Sequence, residues 1–86
     1  MNITFSDKAK KQFVKLDKPV QNQMRKFLDS LKNLQNPRSR GKELVGNRRG
    51  IWRYRVGDYR ILCHINDKEL CIFVVEVGHR KEVYGR

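Results

Sequence analysis

Trp52-Arg53-Tyr54-Arg55-Val56-Gly57-Asp58-Tyr59-Arg60-Ile61-Leu62 is the stretch on which the fold of this chain turns. Two alternating runs, rich in aromatic and β-branched residues, flank Gly57-Asp58, which has the composition of a two-residue hairpin turn. With that turn, Val56 pairs with Tyr59, Arg55 with Arg60, Tyr54 with Ile61 and Trp52 with Cys63. Period-two alternation then collects Trp52, Tyr54, Val56, Tyr59, Ile61 and Cys63 on one face. The other face carries Arg53, Arg55, Arg60 and His64, with Ile51 and Leu62 among them. The aromatic face needs a covering layer. The arginine face sets Arg55 directly against Arg60, and like charges so placed destabilise a strand pair. Selection for stability alone does not produce it.

Downstream, Leu70–Val77 is apolar on both faces apart from Glu76, the pattern of an interior strand. Pairing Ile65 with Leu70 sets Cys63 against Ile72 and His64 against Cys71. The two cysteines then point to opposite faces, so no disulfide is expected, and their spacing is not that of a zinc site. Gly78 ends this strand and is expected to carry His79, Arg80 and Tyr84 toward the rim of the arginine face.

Upstream, Ile3 and Phe5 suggest a short opening strand, and Ser6-Asp7 a helix start. Ala9, Phe13 and Leu16 form one helical stripe. Asp17-Lys18-Pro19 breaks it, and Val20, Met24, Phe27, Leu28, Leu31 and Leu34 form a stronger second stripe that Asn36-Pro37 ends. Residues 6–35 therefore read as an antiparallel helical hairpin. A basic, glycine-punctuated connection spans 37–50, with Leu44 and Val45 expected to pin its middle to the core. The reading is a single α+β domain over residues 1–86. Its order is β-α-α-β-β-β, a small, mainly antiparallel sheet with the N-terminal helical hairpin packed on one face.

The charge balance narrows the partners. Lys and Arg number 20 against 9 acids, a formal net charge of +11. Eight of those bases and only two acids fall between Arg38 and Arg60. An outer face that is merely solvated is one explanation; a bound polyanion relieves the repulsion more directly, and nucleic acid fits better than a membrane surface. No apolar run approaches the ~20 residues a bilayer requires. The opening residues lack the apolar centre of a signal peptide, which makes a cytoplasmic location the expectation.

The segments Trp-Arg-Tyr-Arg-Val-Gly-Asp-Tyr-Arg-Ile-Leu (52–62) and Val-Glu-Val-Gly-His-Arg-Lys-Glu-Val-Tyr (75–84) resemble the RelE/ParE superfamily of bacterial toxin–antitoxin toxins, the RelE branch in particular. The resemblance covers essentially the whole chain, including Lys-Glu-Leu-Val-Gly at 42–46. It implies a microbial-ribonuclease-like fold and an endoribonuclease that needs neither metal nor cofactor and cuts mRNA in the ribosomal A site. It also implies a cognate antitoxin, expected to be acidic, in a heteromeric toxin–antitoxin complex. Carried over by position, the catalytic set is Arg53, Arg55, Arg60, Arg80 and Tyr84. Lys42, Arg48, Arg49, His79 and Lys81 are expected to line the mRNA and ribosomal RNA.

Two departures bear on mechanism. The best-studied branch has lysines where this chain has Arg53 and Arg55, and arginine grips phosphate in two bonds but does not give up its proton. His79 stands where that branch has a lysine, and imidazole titrates near neutrality. From a different class, the ParE branch poisons DNA gyrase without nuclease chemistry; an RNA-binding module without catalysis is a third reading.

Overall fold

In the computed structural model, residues 1–81 are described; Tyr84, expected at the site, lies outside them. Strand β1 (Asn2–Phe5) leads into helices α1 (Asp7–Val14) and α2 (Lys18–Lys32). A two-residue strand β2 (Lys42–Glu43) lies between two 3₁₀ turns, Pro37–Ser39 and Gly46–Arg48. Strands β3 (Trp52–Val56), β4 (Tyr59–Asn66) and β5 (Cys71–His79) follow. The sheet order is β1-β5-β4-β3-β2, with β1 parallel to β5 and the other neighbours antiparallel.

The helical hairpin is built from local signals. The Ser6 hydroxyl accepts the Ala9 N–H at 3.0 Å, which satisfies one of the unpaired donors at the start of α1. At the other end of α1, the buried Gln21 side chain reaches back from α2. Its Nε2 donates to the carbonyls of Leu16 at 2.9 Å and Phe13 at 3.1 Å. One amide thus holds the turn between the helices, and Pro19 sits in the first turn of α2, where its missing N–H costs nothing. Helix α2 ends at Lys32 with Asn33 as its cap, before the expected stop at Asn36-Pro37.

The β3–β4 register is the expected one: Trp52–Cys63, Tyr54–Ile61, Arg55–Arg60 and Val56–Tyr59. Gly57 alone in its turn has a positive φ (+60°), the pattern of a type II′ hairpin. Its helix-side residues Tyr54, Ile61 and Cys63 join Ile72, Val74 and Val77 of β5 and Ala9, Met24, Leu28 and Leu31 of the helices in the core. Tyr54 and Trp52 also hold the basic connection. The Tyr54 hydroxyl donates to the Pro37 carbonyl at 2.6 Å and the Trp52 Nε1 to the Arg40 carbonyl at 2.8 Å. Gly41 passes so close to β3 that a Cβ there would lie 2.3 Å from the Arg53 carbonyl oxygen, and its φ is +80°.

Three expectations are corrected. First, β4 and β5 pair two residues further along: Ile65 faces Ile72, His64 faces Phe73 and Asn66 faces Cys71. The alternation in both strands allows either register, and the longer turn, with Leu70 at φ +52°, selects this one. Cys63 and Cys71 nevertheless remain free thiols. Second, β5 continues through Gly78 to His79 instead of ending at Val77. Third, Val45 is 87 % exposed and pins nothing; the connection is tied down by Trp52 and Tyr54, while Leu44 is half-buried.

Candidate nucleic-acid interface

The sheet face turned away from the helices is organised in cross-strand rows. Nearest the β3–β4 turn, Arg55, Arg60 and Gly78 stand side by side. The next row runs Lys42, Arg53, Leu62, Glu76. Beyond it His64 faces Phe73. Paired residues share a face, so Lys42, Arg53, Arg55 and Arg60 form one basic patch across three strands. Neighbouring strands are ~4.8 Å apart, so the patch is only about 10 Å wide.

Its members are held differently. Arg55 is exposed and Arg53 half-buried, whereas Arg60 is 6 % exposed. The Arg60 Nη1 donates to the carbonyls of Gly57 at 3.0 Å and Tyr59 at 2.9 Å, so this guanidinium is anchored on its own hairpin turn. The same turn receives the next arginine: the Arg80 N–H donates to the Asp58 carbonyl at 2.9 Å. Arg80 is exposed beside the hairpin tip.

His79 does not join this face. It pairs with Tyr59 and its ring meets the Tyr59 ring edge-on at 5.4 Å, which sets it on the opposite side of the sheet from Arg60. The expected rim position fails because β5 runs on past Gly78 instead of turning there. The His79 Nδ1 accepts the Lys81 N–H at 3.2 Å. Of the remaining bases, Lys42, Arg49 and Lys81 are exposed, and Arg48 is half-buried. The basic run from Arg38 also divides. Arg38 pairs with Asp67 and lies over the Trp52 ring, and Arg40 reaches the Ser30 hydroxyl, so these two brace the connection away from the patch.

One acid lies within the basic patch. The Glu76 side chain is 4 % exposed, and its Oε1 meets Lys8 Nζ at 3.0 Å and Arg48 Nη2 at 3.5 Å. Sequence reading marked Glu76 as the odd residue of an apolar strand but gave it no role, and it passed over Lys8. The signal was the acid itself, because an unpaired buried carboxylate is not tolerated and cations must be drawn to it. Among the described residues no group of three or more His, Cys, Asp or Glu side chains is placed to hold a metal ion. No described helix is long and apolar enough to cross a membrane.

The sequence and the fold both match known proteins. A sequence profile described as the ParE toxin of the type II toxin–antitoxin system parDE matches residues 3–84. The chain belongs to the ParE toxin family. Among solved structures, this toxin is similar to the RelBE2 toxin–antitoxin complex of Mycobacterium tuberculosis. The TM-score is 0.82 and the identity 26%, over 92% of this chain and 90% of that one. An arginine-to-alanine double variant of the Escherichia coli toxin RelE, in its free state, matches with a TM-score of 0.75 and 27% identity, covering 98% of this chain and 90% of that one. The archaeal RelE–RelB complex of Pyrococcus horikoshii shares the fold, with a TM-score of 0.71 and 24% identity over 92% and 93% of the two chains. No curated protein sequence matches. The toxin therefore has the RelE-like α+β fold within the RelE/ParE superfamily.

Proposed function

We propose that this toxin is an endoribonuclease that cuts mRNA in the ribosomal A site, without metal or cofactor, and so arrests translation. The observation that carries the reading is the row Arg55–Arg60, with Arg60 anchored on the same turn that fixes the Arg80 backbone. Cleavage of RNA needs removal of the 2′-OH proton, stabilisation of the pentavalent phosphate and a proton for the leaving 5′-oxygen. Guanidinium groups held in advance of the reaction supply the second, usually the largest electrostatic contribution. Arg60 and Arg80 clamp the scissile phosphate, with Arg53 and Arg55 beside it. Tyr84 stacks on an unpaired base and holds the nucleotide in line. The products are a 2′,3′-cyclic phosphate and a 5′-hydroxyl. Arginine cannot serve as the base, so the ribosome's own RNA positions and activates the 2′-OH.

In this reading a cognate acidic antitoxin neutralises the toxin and assembles with it in the cytoplasm. A groove of about 660 Å³ between β1, α1 and α2 suits an amphipathic helix of that partner. Ile3, Phe5, Phe13 and Leu28 line it, and Lys10, Arg25 and Lys32 at its margin outnumber Asp29. Charge complementarity then favours acidic flanks on the helix.

The family profile is described by ParE, which favours a second reading: a gyrase poison with no nuclease chemistry. Ribosome profiling after brief expression separates the two. Messenger cuts confined to the A site support the nuclease. Gyrase-linked DNA breaks with intact messages would establish the poison in its place.

A further inference from the structure

We propose that Lys8 and Arg48, both fixed on the Oε1 atom of buried Glu76, form a second phosphate subsite on the arginine face. It holds an RNA phosphate that flanks the scissile one, and it rests on the nuclease reading above.

The argument begins with the backbone of β5. Cys63 pairs with Val74 and the adjacent Leu62 pairs with Glu76, so Val75 is skipped as a bulge. Under strict alternation Glu76 would share a face with Ile72 and Val74, both fully buried in the core. The bulge reverses the alternation and turns Glu76 to the arginine face, across Leu62 from Arg53. An irregularity that costs a ladder hydrogen bond thus places one carboxylate among the bases of the patch.

That carboxylate gathers two cations from distant parts of the chain. Lys8 comes from the first turn of α1, beside the edge of β5 that β1 leaves unpaired, and Arg48 from the second 3₁₀ turn. The Lys8 and Arg48 side chains are 57 % and 41 % exposed above a carboxylate that is 4 % exposed. An ammonium has three donors and a guanidinium five, so each cation has donors beyond the one it gives Glu76. One negative charge offsets one of the two positive charges and leaves the pair net cationic. Glu76 lies two strands from Arg53, about 10 Å, on the face that carries Arg53, Arg55 and Arg60. A single RNA strand lying across that face meets the subsite next to the scissile position. Glu76 is a positioning residue in this scheme: it touches no RNA and keeps two long, otherwise mobile side chains aimed outward. A purely structural ion pair has no such requirement, and buried pairs contribute little net stability.

The test measures binding of an unstructured single-stranded RNA oligonucleotide over a salt series, beside cleavage on programmed ribosomes. Variants Lys8→Gln, Arg48→Gln, Glu76→Gln and Glu76→Gln/Arg48→Gln are compared with the natural chain. Lys8→Gln and Arg48→Gln should each lower affinity and flatten the salt dependence, so that affinity falls about threefold less between 50 and 200 mM salt. Glu76→Gln should also weaken binding, although it removes an acid and so makes the toxin more cationic. The double variant should bind more weakly than Arg48→Gln by no more than Lys8→Gln costs alone, because with Arg48 gone only the Lys8 contact is left for the Glu76 change to disturb. A Glu76→Gln variant that binds RNA as well as or better than the natural chain would overturn the positioning role. Natural salt dependence in Lys8→Gln and Arg48→Gln, whose changes lie on exposed side chains, would overturn the subsite even if Glu76→Gln did not fold. A natural chain that neither cuts messages nor binds RNA would remove the nuclease reading itself.

Discussion

The two faces of the β3–β4–β5 sheet use the same alternation for opposite ends. On the helix side, Tyr54, Ile61, Cys63, Ile72, Val74 and Val77 are each no more than 2 % exposed, and they pack against Met24, Leu28 and Leu31. On the other side, Arg55 faces Arg60, and the central row ends in a buried Glu76 that holds two cations. The first face is what apolar burial selects. The second contains a like-charge pair and a desolvated carboxylate, both costly to the isolated fold. The contrast separates residues that make the domain stable from residues retained for what they contact.

Substitutions can break that separation. The largest expected effect is Ile61→Ala, which opens a cavity under the helices and should cost ~2–5 kcal/mol in urea unfolding; a loss below 1 kcal/mol would mean the helix layer is loosely packed. Next is the arginine face. Arg80→Ala should lower single-turnover cleavage on programmed ribosomes by ~10²–10³ with an unchanged urea midpoint. Arg60→Ala should lose a similar factor and, unlike Arg80→Ala, also lose stability, because two bonds to the Gly57 and Tyr59 carbonyls go with it at ~1 kcal/mol each. Full activity in either variant would remove that residue from the phosphate clamp.

A pH series sharpens the comparison from the core side. Burial pushes the Cys63 thiol from an ordinary 9.0 up to about 12, and burial likewise raises the Tyr54 hydroxyl. Between those two thiol values the native state retains a proton that the unfolded chain has released, so the contribution of Cys63 to stability should be level below pH 9 and fall as pH rises toward 12. Cys63→Ala should flatten part of that fall in urea titrations; an identical slope would mean that another group carries it. The smallest effect is Arg55→Ala, which removes the repulsion with Arg60 and should raise stability by a few tenths of a kcal/mol while reducing toxicity. A stability loss there would show that the pair is compensated within the fold.

Much of this was legible in local patterns. The β3–β4 register and its two faces followed from alternation about Gly57-Asp58, since a two-residue turn leaves no freedom in the pairing. Likewise, both helices followed from 3.6-residue stripes and the Ser6 and Pro19 signals. The β4–β5 register was not legible, because apolar residues on both faces of β5 satisfy more than one alignment. Nor was the position of His79: alternation cannot show whether a strand ends at a glycine or runs through it.

Taken alone, the amino-acid sequence determined the helical hairpin, the aromatic and basic faces of the central strands, and the polyanion-seeking charge. These depend on periodicity and composition, which act over a few neighbouring residues. Only the tertiary structure decided that β1 lies parallel to β5, that β5 bulges at Val75, and that Lys8 and Arg48 meet on Glu76. It also decided that Arg60 is buried on its own turn while Arg55 faces water. Those outcomes depend on contacts between segments tens of residues apart. There, packing and the demand that every buried charge find a partner prevail over local preference.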